Sequence, residues 1–131
     1  MKSKFDYTII SDFLSPIIKD RIIYELSSEK KRIKGWSRFS HNVDLIINQE
    51  CFCFKCSSID EAIKNEIKKE ECKEYVILSF EFQEGKAMSF DSALNYLNDK
   101  SFAVLLLAGD FLIIKPEYEG GQTPFSVLKK K

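Results

Sequence analysis

Apolar residues recur along this chain at two periods, and the switches between them mark out its elements. Ile18, Ile22 and Leu26 return every four residues with Ile23 beside them, the stripe of an amphipathic helix. Ser15-Pro16 suits an N-cap followed by proline at the first helical position, where a missing N–H costs nothing, so a helix is predicted over 16–27. Residues 6–14 read as a preceding helical turn packed by Phe13 and Leu14. Glu29 to Lys34 reads as a charged continuation that Gly35 is expected to end.

The period then changes to two. Val43 to Ile47 is apolar and β-branched and leads into 51–55. There Cys51, Cys53 and Lys55 fall on one face of a strand, and Phe52, Phe54 and Cys56 on the other. Ser58-Ile59-Asp60-Glu61 has the form of a capping box, and Ile59, Ile63 and Ile67 give the helix after it an apolar stripe. Tyr75 to Phe82 alternates as a half-buried strand, with Val76, Leu78, Phe80 and Phe82 to one side. Glu84-Gly85-Lys86 is a turn. Ser89 caps a short helix whose Phe90, Ala93, Leu94 and Leu97 share a face. Phe102 to Leu107 and Phe111 to Ile114 do not alternate, which predicts central strands covered on both faces. Gly109-Asp110 between them suits a two-residue hairpin turn. Pro116 ends the second strand, Gly120-Gly121 loosens the loop, and Thr123-Pro124 is expected to open a last short helix. The fold class expected is α+β: one domain over 1–131, a mainly antiparallel sheet of about four strands, and helices packed on it.

Composition sharpens this picture in a few places. At 131 residues the chain is long enough for one hydrophobic core. Its longest apolar run, Phe102 to Ala108, is far too short to cross a bilayer, so no membrane role is expected. Met1 to Asp6 carries lysines without an apolar segment behind them, so no export signal and a cytoplasmic location are expected. The formal charge is zero, which argues against a chain that coats nucleic acid. The distribution is uneven, however. Lys30, Lys31, Arg32, Lys34 and Arg38 crowd together, whereas between Asp60 and Asp99 ten acids face five lysines.

Candidate chemistry is sparse. The four cysteines are expected to be reduced thiols. A tetrahedral zinc site takes cysteine pairs two to four residues apart on tight turns. Cys51 and Cys53 are one apart, Cys56 points oppositely, Cys72 stands alone, and phenylalanines fill the gaps. Packing in a core strand is the better reading, and no metal or other cofactor is implied. His41 could act as a general base, with Arg38 or a lysine holding phosphate, but no second acid–base group stands beside it. Around it, Trp36 and Phe39 alternate with bases. They would either stack on single-stranded RNA or tuck into the core. No phosphate-binding glycine loop, H-E-x-x-H or EF-hand pattern is present, and no catalytic residue is assigned.

Two stretches, Lys34-Gly35-Trp36-Ser37-Arg38-Phe39-Ser40-His41 and Pro116-Glu117-Tyr118-Glu119-Gly120-Gly121-Gln122-Thr123-Pro124-Phe125, together with size and a lysine-and-isoleucine-rich composition, give the chain a resemblance. It is similar in type, over its whole length, to the small cytosolic immunity proteins of bacterial toxin systems, above all those of contact-dependent growth inhibition. No functional residue is carried over from that family. The resemblance implies a protein partner, a cognate toxin domain that is often a nuclease, and a chain that is not an enzyme. A nuclease attracts phosphate with a basic surface, so acids on the inhibitor would compete for it. The expected contacts are Glu84, Asp91, Asp99, Glu117, Tyr118 and Glu119. The alternative is an RNA-binding or RNA-cleaving protein that uses segment 30–41. The oligomeric state is not legible.

Overall fold

The computed structural model describes residues 6–41, 43–56, 75–100, 102–117 and 125–130, without the side chains of His41, Phe54 and Cys56. The fold is α+β. A 3-10 helix, Tyr7–Phe13, is followed by α1 (Lys19–Ser27), α2 (Arg32–His41) and the single turn α3 (Val43–Ile46). Strands β1 (Phe52–Cys56), β2 (Tyr75–Ser79) and β3 (Lys86–Met88) precede α4 (Phe90–Asp99). Strands β4 (Val104–Ala108), β5 (Phe111–Lys115) and β6 (Phe125–Lys129) complete the order. All six strands form one sheet in the order β1-β6-β5-β4-β2-β3, antiparallel at every pairing.

Six strands replace the four expected, and each addition has a physical reason. β3 spans three residues, too short to leave an alternation pattern. In β6, the predicted opening of a helix at Thr123-Pro124 gives way to a strand. Its Val127 packs on one face and Leu128 on the other, between β1 and β5. Long-range pairing overrides the local helix signal. Residues 57–74 and 118–124, which hold the predicted capping-box helix, Cys72, Tyr118 and Glu119, lie outside the described residues.

The sheet is covered on both sides. Leu78, Leu105, Leu107, Leu112, Ile114 and Leu128 pack under the 3-10 helix, α1, α2 and α3. Ile77, Val104, Leu106, Ala108, Ile113 and Val127 point the other way, toward Ala93 and Leu97 of α4. The runs in β4 and β5 are thus continuous for the reason expected: each is buried on both faces. The same holds for β2, where Tyr75 and Ile77 join the α4 side and Val76 and Leu78 the other, so this strand is not half-exposed. Gly109 takes φ +60 in the β4–β5 hairpin, a left-handed conformation that glycine enters without steric cost.

Gly35 does not end a helix. It lies inside α2, where an added Cβ would stand 3.0 Å from Leu26 Cδ2 and 3.2 Å from the Leu26 nitrogen. The missing side chain lets α2 cross α1 closely. The helix then carries Trp36 and Phe39, 5% and 0% exposed, into the core. Val43 to Ile46 is helical as well, continuing the buried stripe with Val43 and Ile46. Helix α1 starts at Lys19, after a turn in which the Ser15 carbonyl accepts from the nitrogens of Ile18 and Lys19.

The cysteine-rich stretch departs from its expected pattern. β1 is an edge strand, and its register jumps between Phe52 and Phe54, leaving Cys53 as a bulge. Cys51 is 4% exposed and its thiol donates to the Asp12 carbonyl at 3.3 Å, while Cys53 is exposed. One sulfur is core and the other is surface. Among the described residues no three His, Cys, Asp or Glu side chains converge on a possible metal position. No helix among them is long and apolar enough to cross a membrane.

Candidate partner-binding end of the sheet

Strand register places the expected contact residues. Ser79 closes β2 opposite Val104, which opens β4, and Val104 in turn faces Lys115 at the close of β5. Glu84 follows β2 in the turn to β3, Asp99 ends α4 just before β4, and Glu117 follows β5. All three therefore sit at one end of the sheet. The span from β5 to β3 is three strand spacings, about 14 Å. Asp91 is in the first turn of α4, eight residues or about 12 Å up the helix axis from Asp99, toward the opposite end. Tyr118 and Glu119 lie outside the described residues.

This end is held by side chains from both layers. β2 stops at Ser79 because the Ser79 hydroxyl accepts from the Phe82 nitrogen at 3.0 Å, a local turn that competes with the ladder. The same hydroxyl meets the Tyr96 hydroxyl at 2.7 Å. Burial pushes the Tyr96 phenol up to about 12, so it stays protonated at neutral pH. Across the turn, Tyr7 of the 3-10 helix donates to the Gln83 carbonyl and Arg32 of α2 donates to the Gln83 side chain. Phe82 packs on Tyr96 at 5.1 Å between centroids.

Two lysines tie the helix to the strands. Lys100 caps the end of α4 and stands 3.9 Å from Glu81 and 3.7 Å from Asp99, so it offsets part of the acidity there. Lys115, only 5% exposed, donates to the carbonyls of Lys100 and Phe102. Desolvation holds its pKa below the usual lysine value. It fixes the corner between α4 and β4. Along α4, Ser92, Asn95, Tyr96, Asn98, Asp99 and Lys100 line an open groove of ≈ 680 Å³ beside Met88. Its lining mixes apolar surface with the amides of Asn95 and Asn98, the hydroxyls of Ser92 and Tyr96 and the charges of Asp99 and Lys100.

The segment 30–41 behaves otherwise. Trp36 and Phe39 pack against each other in the core, 5.8 Å between centroids and tilted by 50°, so neither is presented to a base. Arg38 donates from Nε to Glu25 at 2.6 Å and from Nη2 at 3.1 Å. Those hydrogen bonds draw the Glu25 carboxyl below its ordinary value and raise Arg38. Arg32 is turned toward the Leu26 carbonyl and Gln83. Lys30, Lys31 and Lys34 are exposed. His41 closes α2.

Sequence reasoning placed Phe80 to Phe82 in the strand, which ends at Ser79, and did not single out Gln83, Lys100 or Lys115. The available signal was the polar cluster Glu81-Phe82-Gln83-Glu84-Gly85 after a short apolar run, which marks a turn earlier than the alternation suggests. Compared with protein-family models, curated proteins and solved structures, the chain matches none.

Proposed function

We propose that this chain is an immunity-type inhibitor that binds a cognate toxin domain, a nuclease in the simplest case, and covers its basic active site. The observation that carries the reading is the gathering of Glu84, Asp99 and Glu117 at one braced end of the sheet. A standard interface covers about 800 Å² per partner, roughly 28 Å across, so one partner surface reaches all three. The interior charges support the reading in a second way. Glu25 and Lys115 are engaged by Arg38, Arg21 and backbone carbonyls, which leaves the outer surface as the place of action. The RNA reading loses its stacking partners, since Trp36 and Phe39 are core residues.

The test starts from the neighbouring genes: a toxin-like open reading frame directly upstream is the expected partner, and its co-expression with this chain is scored by growth rescue and by complex formation. The Glu84→Lys, Asp99→Lys and Glu117→Lys triple variant is expected to associate about tenfold more slowly at low salt, because complementary charge acts chiefly on encounter. An unchanged association rate removes this end of the sheet as the contact surface. Absence of rescue and of complex with the unaltered chain rejects the immunity reading itself.

A further inference from the structure

The sheet has two edges, and they are finished differently. On β1 the register shifts at Cys53, and that bulge breaks the row of backbone groups a further strand would need. On β3 the ladder is regular: Met88 faces Tyr75, Ala87 faces Val76 and Lys86 faces Ile77. Among the described residues no strand lies beyond β3. Residues of an antiparallel ladder bond alternately inward and outward, so this edge offers the N–H and C=O of at least one residue to a newcomer. Lys86 and Ala87 are exposed, and Ala87 has no bulk to block an approach. A short edge with a lysine is also the usual guard against open-ended pairing, so this one suits a brief segment and not a growing sheet.

What separates β3 from an ordinary guarded edge is the groove beside it. Helix α4 leaves directly after β3, capped by Ser89. Phe90 at its start packs on Tyr75, and Tyr96 near its close meets Ser79, so α4 runs along β2 from one end to the other. Phe82 bridges strand and helix, its ring 5.1 Å from that of Tyr96 and 5.2 Å from the Lys86 ammonium. Ser92, Asn95, Tyr96 and Asp99 repeat at three- and four-residue spacing on one face of α4, and all four line the groove together with Met88 of β3. From Ser92 to Lys100 the groove follows the helix for about 12 Å, the length of about four residues of extended chain.

We propose that the groove between β3 and α4 binds an extended polypeptide segment, which pairs with β3 as a further strand and lays alternate side chains against α4. A polypeptide backbone satisfies both the donor and the acceptor of an open ladder position at the ladder's own spacing, which neither a nucleic acid nor a lipid does. Its side chains are selected by Ser92, Asn95 and Asn98, whose hydroxyl and amides both donate and accept, so Gln, Asn, Ser or Thr suit the positions that face α4. Charge plays little part. Asp99 and Lys100, the charged residues of the groove lining, stand 3.7 Å from each other, and Lys86 rests over the Phe82 ring. Binding here is therefore expected to resist salt, unlike the charge-driven encounter proposed for the acidic residues. The inference stands apart from the immunity reading: it asks for a strand of stated side-chain chemistry from any protein, and it shares with that reading only Asp99.

A phage-displayed library of random linear decapeptides, selected on the full chain, supplies the probe. Enriched sequences are expected to carry Gln, Asn, Ser or Thr at alternate positions. Synthetic copies are then titrated against the full chain by fluorescence polarisation. N-methylation of successive peptide nitrogens should weaken binding about tenfold at every second position and little between them, the loss of one main-chain hydrogen bond. Asn95→Trp fills the groove from an exposed position, so it should weaken binding at least about tenfold while the thermal midpoint holds. Lys34→Ala, on the far side of the sheet, should stay within about twofold, and so should the unaltered chain between roughly 0.05 and 0.5 M salt. Failure of any sequence to enrich over a parallel selection on Asn95→Trp overturns the proposal, as does equal binding to that variant. An N-methyl scan without alternation, read on the unaltered chain, overturns strand pairing whatever the variant does. Self-association of the free chain that Asn95→Trp abolishes also overturns the proposal, by giving the β3 edge to a second copy.

Discussion

Glu25 and Lys115 are both charges in a dry interior, yet the protein treats them in opposite ways. Glu25 is met by opposite charge: Arg38 grips it with two nitrogens and Arg21 adds a third contact at 3.2 Å. Lys115 is met by dipoles, the carbonyls of Lys100 and Phe102. The first arrangement locks α1 to α2 and is a matter of stability. The second sets where α4 ends and β4 begins, at the end of the sheet where Asp99 and Lys100 stand. The difference separates a framework region from the end of the sheet proposed as the presenting region.

The comparison is most easily broken at the framework. Arg38→Ala leaves the fully buried Glu25 carboxylate with the largely exposed Arg21 in place of its two-nitrogen partner and is expected to cost about 3 kcal/mol in chemical denaturation. The paired replacement Glu25→Leu with Arg38→Met should recover most of that loss, because no uncompensated charge remains. Gly35→Val comes next, at about 1–3 kcal/mol, since a branched side chain has to enter the 3.0–3.2 Å space against Leu26 and Glu25. In the presenting region, Lys115→Met should cost about 1 kcal/mol. It leaves two carbonyls short of a donor but also removes the cost of burying an ammonium. A larger loss than Arg38→Ala would reverse the ranking of the two regions.

The two regions also titrate at opposite ends of the pH scale. The folded pKa of Glu25 is depressed below its ordinary 4.5. Its stabilisation is therefore complete above that value and is lost as pH falls through the lower folded pKa. Tyr96 is raised from 10.0 to about 12. Its contribution is complete below 10.0 and is lost as pH rises toward 12. Stability measured against pH should show both limbs, with Arg38→Ala changing the acid one and Tyr96→Phe flattening the alkaline one. The smallest effect belongs to Arg21→Ala, below about 0.5 kcal/mol, because Arg21 is 58% exposed.

The regions differ also in how much of them the sequence reveals. Stripes that depend on local period were legible: Ile22 and Leu26 in α1, Ala93 and Leu97 in α4, the doubly buried runs of β4 and β5. What depends on a distant neighbour was not. Gly35 reads as a helix stop because glycine usually is one, and only the approach of Leu26 explains it inside α2. Phe125–Lys129 is a strand because β1 and β5 flank it. Cys53 faces outward because of a bulge in an edge strand, which no alternation pattern announces. Glu84, Asp99 and Glu117 were named from composition and a presumed basic partner. Their common location is a product of strand order, and so is the distance of Asp91 from them. Phe80 reads as strand because the alternation from Val76 runs straight through it into Phe82, whereas β2 ends at Ser79.

Hydrogen–deuterium exchange of the chain, free and with the proposed partner toxin domain, probes the division most directly. Slowed exchange over Ser79–Gly85 and around Asp99 and Glu117, with 32–41 unchanged, is the predicted result. Protection confined to 32–41, with the Phe80 turn exchanging as in the free protein, would contradict it.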